Sequence, residues 1–234
     1  MKNIFTLLLS SFILISCGEI SPKGEIASKY ISIEDFSNLN LQGNFHVFYV
    51  ASSKNNIGVE TYKNIADNVE IKVKNNTLNV TEKRPTKDVD FYNITIYSKK
   101  SPENITISDD AELNISGEIK TEKLRLNLKN NAIFIGSINT QKTDIEMQNT
   151  SRANFSGITK FATIKISDTA NIIAPYWFVD NLNLDSKNGN YTEVNVKDTL
   201  KGTLQNTAKL LYYNQPIQQL KADKTTKIEN KPLQ

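Results

Sequence analysis

Very few side chains in this sequence could act as nucleophiles, general bases or metal ligands. It contains one cysteine, Cys17, and one histidine, His46. A nucleophilic triad needs a histidine beside a serine or cysteine, and zinc sites take several His or Cys ligands, so one histidine leaves little to build with. His46 lies on the polar phase of an alternating segment and is interpreted as a solvated strand residue. The sequence therefore predicts no catalytic residue, no metal site and no cofactor.

Carboxylates are the remaining groups that could do chemistry, because carboxylate pairs cleave glycans. Asp109, Asp110 and Glu112 fall in one bend, and Asp144 and Asp168 come later. In the 19-residue register described below, Asp110 falls in line with Lys129, Gln148 and Ser167. No acidic column forms in that register, and the repeated Gly-Gly-x-Gly-x-Asp pattern of calcium-bound β-rolls is absent. A glycan-active enzyme, a polysaccharide lyase or hydrolase, is kept as the alternative function.

The cysteine closes a segment that reads as an export signal. The chain begins Met1-Lys2-Asn3, and residues 4–15 are mostly apolar but too few to span a bilayer. The following Leu14-Ile15-Ser16-Cys17 resembles the bacterial lipobox, in which the signal is cleaved before the cysteine and the new terminus is acylated. The sequence predicts a signal peptide over residues 1–16 and lipidation of Cys17, which would anchor the chain to a membrane. The alternative is an ordinary signal peptide with a chance cysteine.

Charge argues against nucleic acid as a partner. The chain has 28 Lys and Arg residues against 25 Asp and Glu residues, and loss of Lys2 with the signal makes this 27 against 25. Phosphate backbones require a clustered basic surface, which a nearly neutral chain does not indicate. Residues 17–29 are polar and without periodicity, which predicts a tether between the lipid and one domain over residues 30–234.

From Tyr30 onward apolar and polar residues alternate, which predicts strands with one buried face. In the second half a 19-residue repeat places Ile107, Leu126, Ile145 and Ile164 in one column. Gly117 aligns with Gly136 in this register, and a two-residue insertion is predicted at 149–152. Small residues are expected where the chain bends inward, namely Ala111, Ala132, Ala153, Ala170 and Ala208.

A short repeat of strands and Asn-rich bends, with no helical part, predicts an all-β right-handed parallel β-helix with coils of about 19 residues. Leucine-rich repeats are the nearest competitor, but their longer consensus and helical return leg are not matched. An antiparallel sandwich with coincidental spacing is the other alternative.

The densest aromatic run is Tyr176-Trp177-Phe178, after Pro175, and Leu211-Tyr212-Tyr213 follows about two coils later. Adjacent side chains on a strand point to opposite faces, so Trp177 cannot share a face with both neighbours. At least one aromatic faces outward if this segment is a strand, and exposed aromatics stack on sugars or bind proteins. The three residues are predicted ligand contacts for a glycan or protein, with a loop that covers the core as the alternative.

Segments of the first half resemble the DUF2807 family, the putative auto-transporter adhesin, head GIN domain. The likeness rests on Ile33-Glu34-Asp35-Phe36, on Leu41 to Val47 with its central Gly43-Asn44, and on Val69 to Val80, and it continues through the coils of Gly117 and Gly136. The family's commoner Leu-x-Gly-x-Gly lead-in is replaced by Ile105 to Ala111. The resemblance implies a β-helical protein of the cell envelope and supplies no catalytic residue.

Two tripeptides, Asp168-Thr169-Ala170 and Asp198-Thr199-Leu200, resemble the acceptor of a bacterial periplasmic O-glycosylation, so Thr169 and Thr199 are candidate modification sites. Together these features predict a non-catalytic lipoprotein of the cell outer membrane. It would act in adhesion or envelope interaction through its β-helix faces. Its display on the periplasmic or the outer side stays open.

Overall fold

A computed structural model describes residues 18–232 of the chain. These described residues contain one short helix, α1 (Lys63–Ala66). The first eight strands are β1 (Ile26–Ser32), β2 (Asn38–Gly43), β3 (His46–Ala51), β4 (Asn56–Tyr62), β5 (Val69–Lys74), β6 (Thr77–Glu82), β7 (Tyr92–Ser98) and β8 (Asn104–Asp109). The later strands are β9 (Glu112–Leu128), β10 (Ile133–Met147), β11 (Arg152–Ile166), β12 (Asn171–Lys187), β13 (Tyr191–Gln205), β14 (Lys209–Tyr213), β15 (Ile217–Ala222) and β16 (Lys227–Lys231). They form a β-solenoid of about 7 turns with ~19-residue spacing, which confirms the predicted fold class.

Each turn contributes to two sheets. Sheet A contains, in spatial order, β5, β6, β2, β8, the second halves of β9 to β13, and β15. Sheet B contains β1, β4, β7, β3, the first halves of β9 to β13, and then β14 and β16. The five long strands bend midway and so pass from sheet B to sheet A without a loop. Their neighbours pair in parallel, which rules out the antiparallel sandwich.

Antiparallel strands cover the amino-terminal end of the solenoid. β6 and β7 lie outside the turn formed by β2 and β3, and β8 returns to its inner side. β5 pairs antiparallel with β6, and β4 with both β7 and β1. Here the structure differs from the predicted tether of residues 17–29, because Ile26–Ser32 forms β1 and Ile20 bridges Thr86. Most side chains of β1 are exposed, so this strand lacks the alternation that reveals the others.

One corner of each turn, where sheet A leads into sheet B, is built from asparagine and aspartate. We call it the Asn corner; its left-handed residues are Asp109, Asn130, Asn149, Asp168, Asn188 and Asn206. Asn and Asp adopt this conformation at lower cost than other side chains, because their short polar groups bond locally. The Asn149 carboxamide oxygen accepts from the Asn130 backbone N–H at 3.2 Å, and the Asp168 carboxylate accepts from the Asn149 N–H at 2.9 Å. The corners therefore stack as a hydrogen-bonded ladder.

The buried columns follow the predicted 19-residue register except at the first repeat. Leu126, Ile145 and Ile164 form one column as predicted. Ile107 does not join it; it pairs with Leu128, two residues further along. The surplus pair of residues is Ser116 and Gly117, which bulge out of β9, and not the predicted insertion at 149–152. A shift of two leaves every side chain on its original face, so Ile107 is still fully buried.

Glycines admit close packing at the bulges. A Cβ at Gly136 would lie 2.6 Å from the Ile115 Cβ, so Ile115, and not Gly117, occupies the position beside Gly136. The small residue after the Asn corner is Ala111, Ala132, Ser151, Ala170, Asn190 or Ala208, each fully buried. Ala153 was predicted for this role, but it lies beyond the corner and pairs with Phe134 and Ile172.

Candidate functional site: an aromatic surface at the bend

The polar residues considered for catalysis are engaged in contacts of their own. His46 Nδ1 lies 3.7 Å from the Glu112 carboxylate, and the histidine side chain is exposed. Asp144 lies 3.7–3.9 Å from Lys123, Arg125 and Lys142. These four residues lie on the outer face of sheet A, beside a shallow groove of about 400 Å³. The charges therefore pair with one another around the groove.

Carboxylates in the Asn corner are also bonded. The Asn130 amide donates to Asp109 at 2.9 Å, and the Asn131 amide donates to Asp110 at 2.7 Å. Asp110 thus stacks on Asn131, and the predicted alignment with Lys129 is wrong by the two bulged residues. Within residues 18–232 no group of three or more His, Cys, Asp or Glu side chains could hold a metal ion.

The aromatic run lies within strand β12. Trp177 is fully buried, and its indole N–H donates to Thr159 Oγ1 at 2.9 Å. Tyr176 and Phe178 face outward, with 57% and 44% of their surfaces exposed. The expectation that Trp177 cannot share a face with both neighbours is confirmed, and the alternative of a covering loop is wrong. Because Trp177 lies in the core, only Tyr176 and Phe178 are available for contact with a ligand.

Trp177 is locked in place by a buried cluster of hydroxyls. Thr140 Oγ1 lies 2.6 Å from Thr143 Oγ1 and 2.9 Å from Thr159 Oγ1, and Thr159 in turn receives the Trp177 N–H. Phe155 packs against the indole with ring centroids 4.8 Å apart. Buried polar groups that are bonded in this way specify one arrangement. The strand is therefore held rigidly where Tyr176 and Phe178 project outward.

Other apolar side chains extend this surface. Ile158 lies in register with Phe178, and both are exposed. Ile173 lies on the same outer face, and Phe161 lies across the bend with Lys160 Nζ 5.6 Å from its ring centroid. We call Ile158, Phe161, Ile173, Tyr176 and Phe178 the apolar bend surface. Sequence reasoning missed the isoleucines, because each one alternates with buried neighbours like any strand residue.

A polar cluster adjoins the apolar bend surface. The Tyr191 and Tyr213 hydroxyls donate to the two Glu193 carboxylate oxygens, at 3.1 and 2.6 Å. The pKa of Tyr191 is raised to about 12, first by burial and then by the Glu193 charge. The bond to Glu193 is the leading cause that raises the pKa of Tyr213 to about 12, and Tyr176 adds a small part. Glu193 also lies in register with Ile173. The cluster was not predicted, although the spacing of Tyr191 and Glu193 places both on one face.

The two candidate threonines differ in setting. Thr169 is exposed in the Asn corner, where its hydroxyl donates to the Asn149 carbonyl at 3.2 Å. Thr199 lies half-buried within β13, beside the register shift at the bend. Only Thr169 lies in the kind of exposed turn expected for a modified residue. Cys17 lies outside the described residues.

The comparisons with known proteins agree with this architecture. The family model of the putative auto-transporter adhesin, head GIN domain, DUF2807, matches residues 35–216. The chain belongs to this family. The match spans the solenoid from β2 to the segment after β14, so the Asn corner and the apolar bend surface both lie within the GIN domain. No curated protein matches the chain.

Solved structures share the fold of this GIN domain. A putative adhesin from Bacteroides fragilis NCTC 9343 has a TM-score of 0.82 at 16% identity, over 91% of this chain and 100% of that one. A putative adhesin from Parabacteroides distasonis ATCC 8503 has a TM-score of 0.73 at 18% identity, over 92% and 100%. A putative lipid binding protein from the same strain has a TM-score of 0.74 at 14% identity, over 92% and 100%. Across the described part of the chain, no helix has the length and apolarity needed to cross a membrane.

Proposed function

We propose that this GIN-domain chain is a non-catalytic, adhesin-like interaction module of the cell envelope that contacts its ligand through the apolar bend surface. The observation that carries the proposal is the exposure of five large apolar side chains on two adjacent strands, β11 and β12, at the bend and on the face of sheet B that leads to it. Contiguous exposed apolar surface of this kind marks interaction sites in soluble proteins. The names of the structural neighbours from Bacteroides and Parabacteroides support an adhesive role.

The rival function is a glycan-active enzyme on the same scaffold. Such an enzyme requires two carboxylates that face one substrate, one of them free to transfer a proton. Asp109, Asp110 and Asp144 are each bonded to an amide or lie beside a cation, which supports the non-catalytic proposal. Release of reducing ends or unsaturated products from a panel of polysaccharides would favour the enzyme over the non-catalytic interaction module.

The ligand-binding part of the proposal is tested by a double substitution, Tyr176→Ala with Phe178→Ala. Fluorescent purified protein should bind intact bacterial or host cells, and the double variant should lose most of that binding. A matched control is Tyr30→Ala, which removes an exposed tyrosine of β1 from the far end of sheet B. Equal binding by the double variant and the wild type would refute the proposal that the ligand binds at the apolar bend surface.

Membrane attachment is the second part of the proposal. Leu14-Ile15-Ser16-Cys17 supports a lipid anchor in the outer membrane, and two or more acyl chains hold a protein stably. The Cys17→Ser protein should leave the membrane fraction of its host. Retention of the variant after a high-salt wash would refute lipidation. Protease treatment of intact cells then distinguishes outward display, where the domain is cleaved, from a periplasmic position, where it is protected.

Glycosylation is a further proposal, and Thr169 is its better-supported site because it is exposed in a turn. Protein from the native host should exceed the mass of its polypeptide and acyl chains. Thr169→Ala should remove the excess, whereas Thr199→Ala should remove little. A mass fully explained by polypeptide and lipid would refute the modification.

A further inference from the structure

We infer that the ligand of this surface is a neutral oligosaccharide, bound between the exposed rings of Tyr176 and Phe178 and the Tyr191–Glu193–Tyr213 cluster. The inference rests on the proposed function and adds the chemical class of the ligand. It is carried by the placement of apolar faces directly beside a fixed set of hydrogen-bond acceptors.

The cluster offers acceptors and has its donors occupied. Both tyrosine hydroxyl protons point to Glu193, at 3.1 and 2.6 Å. A carboxylate has about four lone-pair sites and each phenol oxygen keeps lone pairs of its own, so the unused capacity is for accepting hydrogen bonds. A ligand that fits here must bring several donors. Sugar hydroxyls supply them without a charge.

The register places the apolar and polar parts side by side. Ile158 pairs with Phe178, Phe178 with the buried Asn195, and Asn195 with Tyr213, so Tyr213 lies in one row with the exposed Ile158 and Phe178 across four strands. Adjacent strands lie about 4.8 Å apart, so the row is roughly 14 Å long, which suits a short oligosaccharide. Sugar rings combine C–H faces, which pack on aromatic rings, with hydroxyl edges, which reach the acceptors.

Neighbouring charges disfavour a cationic ligand. A carboxylate beside aromatic rings could also hold an ammonium group by cation–π attraction. In this protein, however, Lys209 pairs in register with Tyr191 and Lys231 with Tyr213. Lys227 pairs in register with Lys209, and Glu229 is the only acid on β16. Three lysines against Glu193 and Glu229 leave the surroundings slightly basic, so a neutral ligand fits better than a cation.

Asn195 holds the two parts in position. It is almost fully buried, its amide donates to the Pro175 carbonyl at 3.2 Å, and it accepts from Asn214. The first of these bonds ties β13 to the segment that carries Tyr176. The rings and the acceptors are thus fixed before a ligand arrives, which lowers the ordering cost of binding.

The test is direct binding of the folded protein to a printed array of neutral and acidic oligosaccharides, with poly-L-lysine as the cationic probe. A neutral oligosaccharide that binds is then titrated by calorimetry. Tyr176→Ala and Glu193→Gln should each raise Kd at least tenfold. Tyr30→Ala should leave Kd unchanged. Tyr213→Phe, which keeps the ring, should raise Kd less than Tyr176→Ala.

Two results would overturn the inference. One is binding to no neutral oligosaccharide on the array, and the other is stronger binding to poly-L-lysine than to any sugar. If the Tyr176→Ala, Phe178→Ala variant still loses cell binding in either case, the proposed function stands and only the ligand class is wrong. Circular dichroism melting curves for each variant show whether a lost signal reflects unfolding.

Discussion

The Asn corner and the bend turn the chain through the same solenoid by different means. At the corner, a left-handed Asn or Asp recurs in every coil from Asp109 to Asn206, and those from Asp109 to Asp168 bond to one another in sequence. At the bend, glycines fall at different register positions in different coils, and the position that Thr140 and Thr159 share is taken by Val179 in the next coil. The corner therefore serves the fold in every coil. The bend is free to carry distinctive side chains such as Tyr176 and Phe178.

The largest expected effect is at the bend, for Gly157→Ala. A Cβ at Gly157 would lie 1.9 Å from the Ile138 carbonyl oxygen, and the glycine φ is +119°. The backbone of Ile138 cannot move out of the way as a flexible side chain can. We therefore expect Gly157→Ala to lower the unfolding free energy by more than about 4 kcal/mol, or to prevent folding.

Gly117→Ala is the matched control, with φ +111° but nothing within 4 Å of the added Cβ. It should cost only backbone strain, on the order of 1–3 kcal/mol. Denaturant titration of both variants measures the difference. Equal losses of unfolding free energy in the two variants would mean that close packing against Ile138 is not the reason that position 157 requires glycine.

The second prediction concerns the core between the two regions. Ile145 is buried between Leu126 and Ile164, so Ile145→Ala should cost about 2–5 kcal/mol through lost burial and a cavity. Ile158→Ala, at an exposed position of the next coil, should change stability by no more than about 0.5 kcal/mol. Urea unfolding measures both variants, and comparable losses of unfolding free energy would contradict the assignment of inner and outer faces.

The third prediction tests the ladder of the Asn corner. Asn149→Ala removes an acceptor for the Asn130 N–H and places a Cβ residue without a bonding side chain at φ +63°, so we expect a loss of about 1–2 kcal/mol. Asn149→Gly restores the backbone freedom but not the hydrogen bond. It should recover part of the loss, and thermal melting of both variants divides the effect between conformation and bonding. Full recovery by glycine would show that the ladder bond contributes nothing.

The sequence predicts the corner better than the bend because the corner is local. The same residue types recur along the chain at the left-handed Asn and Asp positions. They recur as well in the 19-residue column of Leu126, Ile145 and Ile164. The bulge at Ser116-Gly117 leaves no such sequence pattern, because two extra residues keep every side chain on its face and leave the alternation intact. Its effect is seen only in pairing, where Ile107 meets Leu128.

The candidate site could be predicted only in part for a related reason. Alternation alone shows that Tyr176 and Phe178 share a face that Trp177 cannot. Which of the two faces is the core depends on the bulge between Ala174 and Phe178, and hence on contacts with other coils. Likewise, Tyr213 and Glu193 lie 20 residues apart and meet through stacking. A site assembled across coils is visible in sequence only when the register of every coil is known.

The smallest expected effect on stability is that of Glu82, beside Gly43 in the first coil. Gly43 takes the place of the left-handed Asn or Asp of the later coils and pairs in register with Asp109. The Glu82 side chain occupies the space beside this glycine, since a Cβ there would lie 2.8 Å from Glu82 Cγ. Burial raises the pKa of Glu82, although a bond from Thr86 partly opposes the shift. The folded protein therefore holds this proton more tightly than the unfolded chain does. Stability from this group is fully present below the ordinary glutamate pKa and is lost as pH rises through the raised one.

Glu82→Gln keeps the shape and removes the charge, so the variant should be more stable than the wild type near pH 7. The two proteins should converge as pH falls below about 4.5, the ordinary value, because the wild-type carboxyl is then protonated in both states. Melting temperatures measured from pH 4 to pH 8 test this, with Glu70→Gln as the control at a carboxylate whose pKa is lowered by Lys72. A Glu82→Gln variant that is less stable at pH 7 would mean that the Thr86 bond outweighs desolvation. The Thr86 hydroxyl would then hold a charged Glu82 carboxylate at the amino-terminal end of the solenoid.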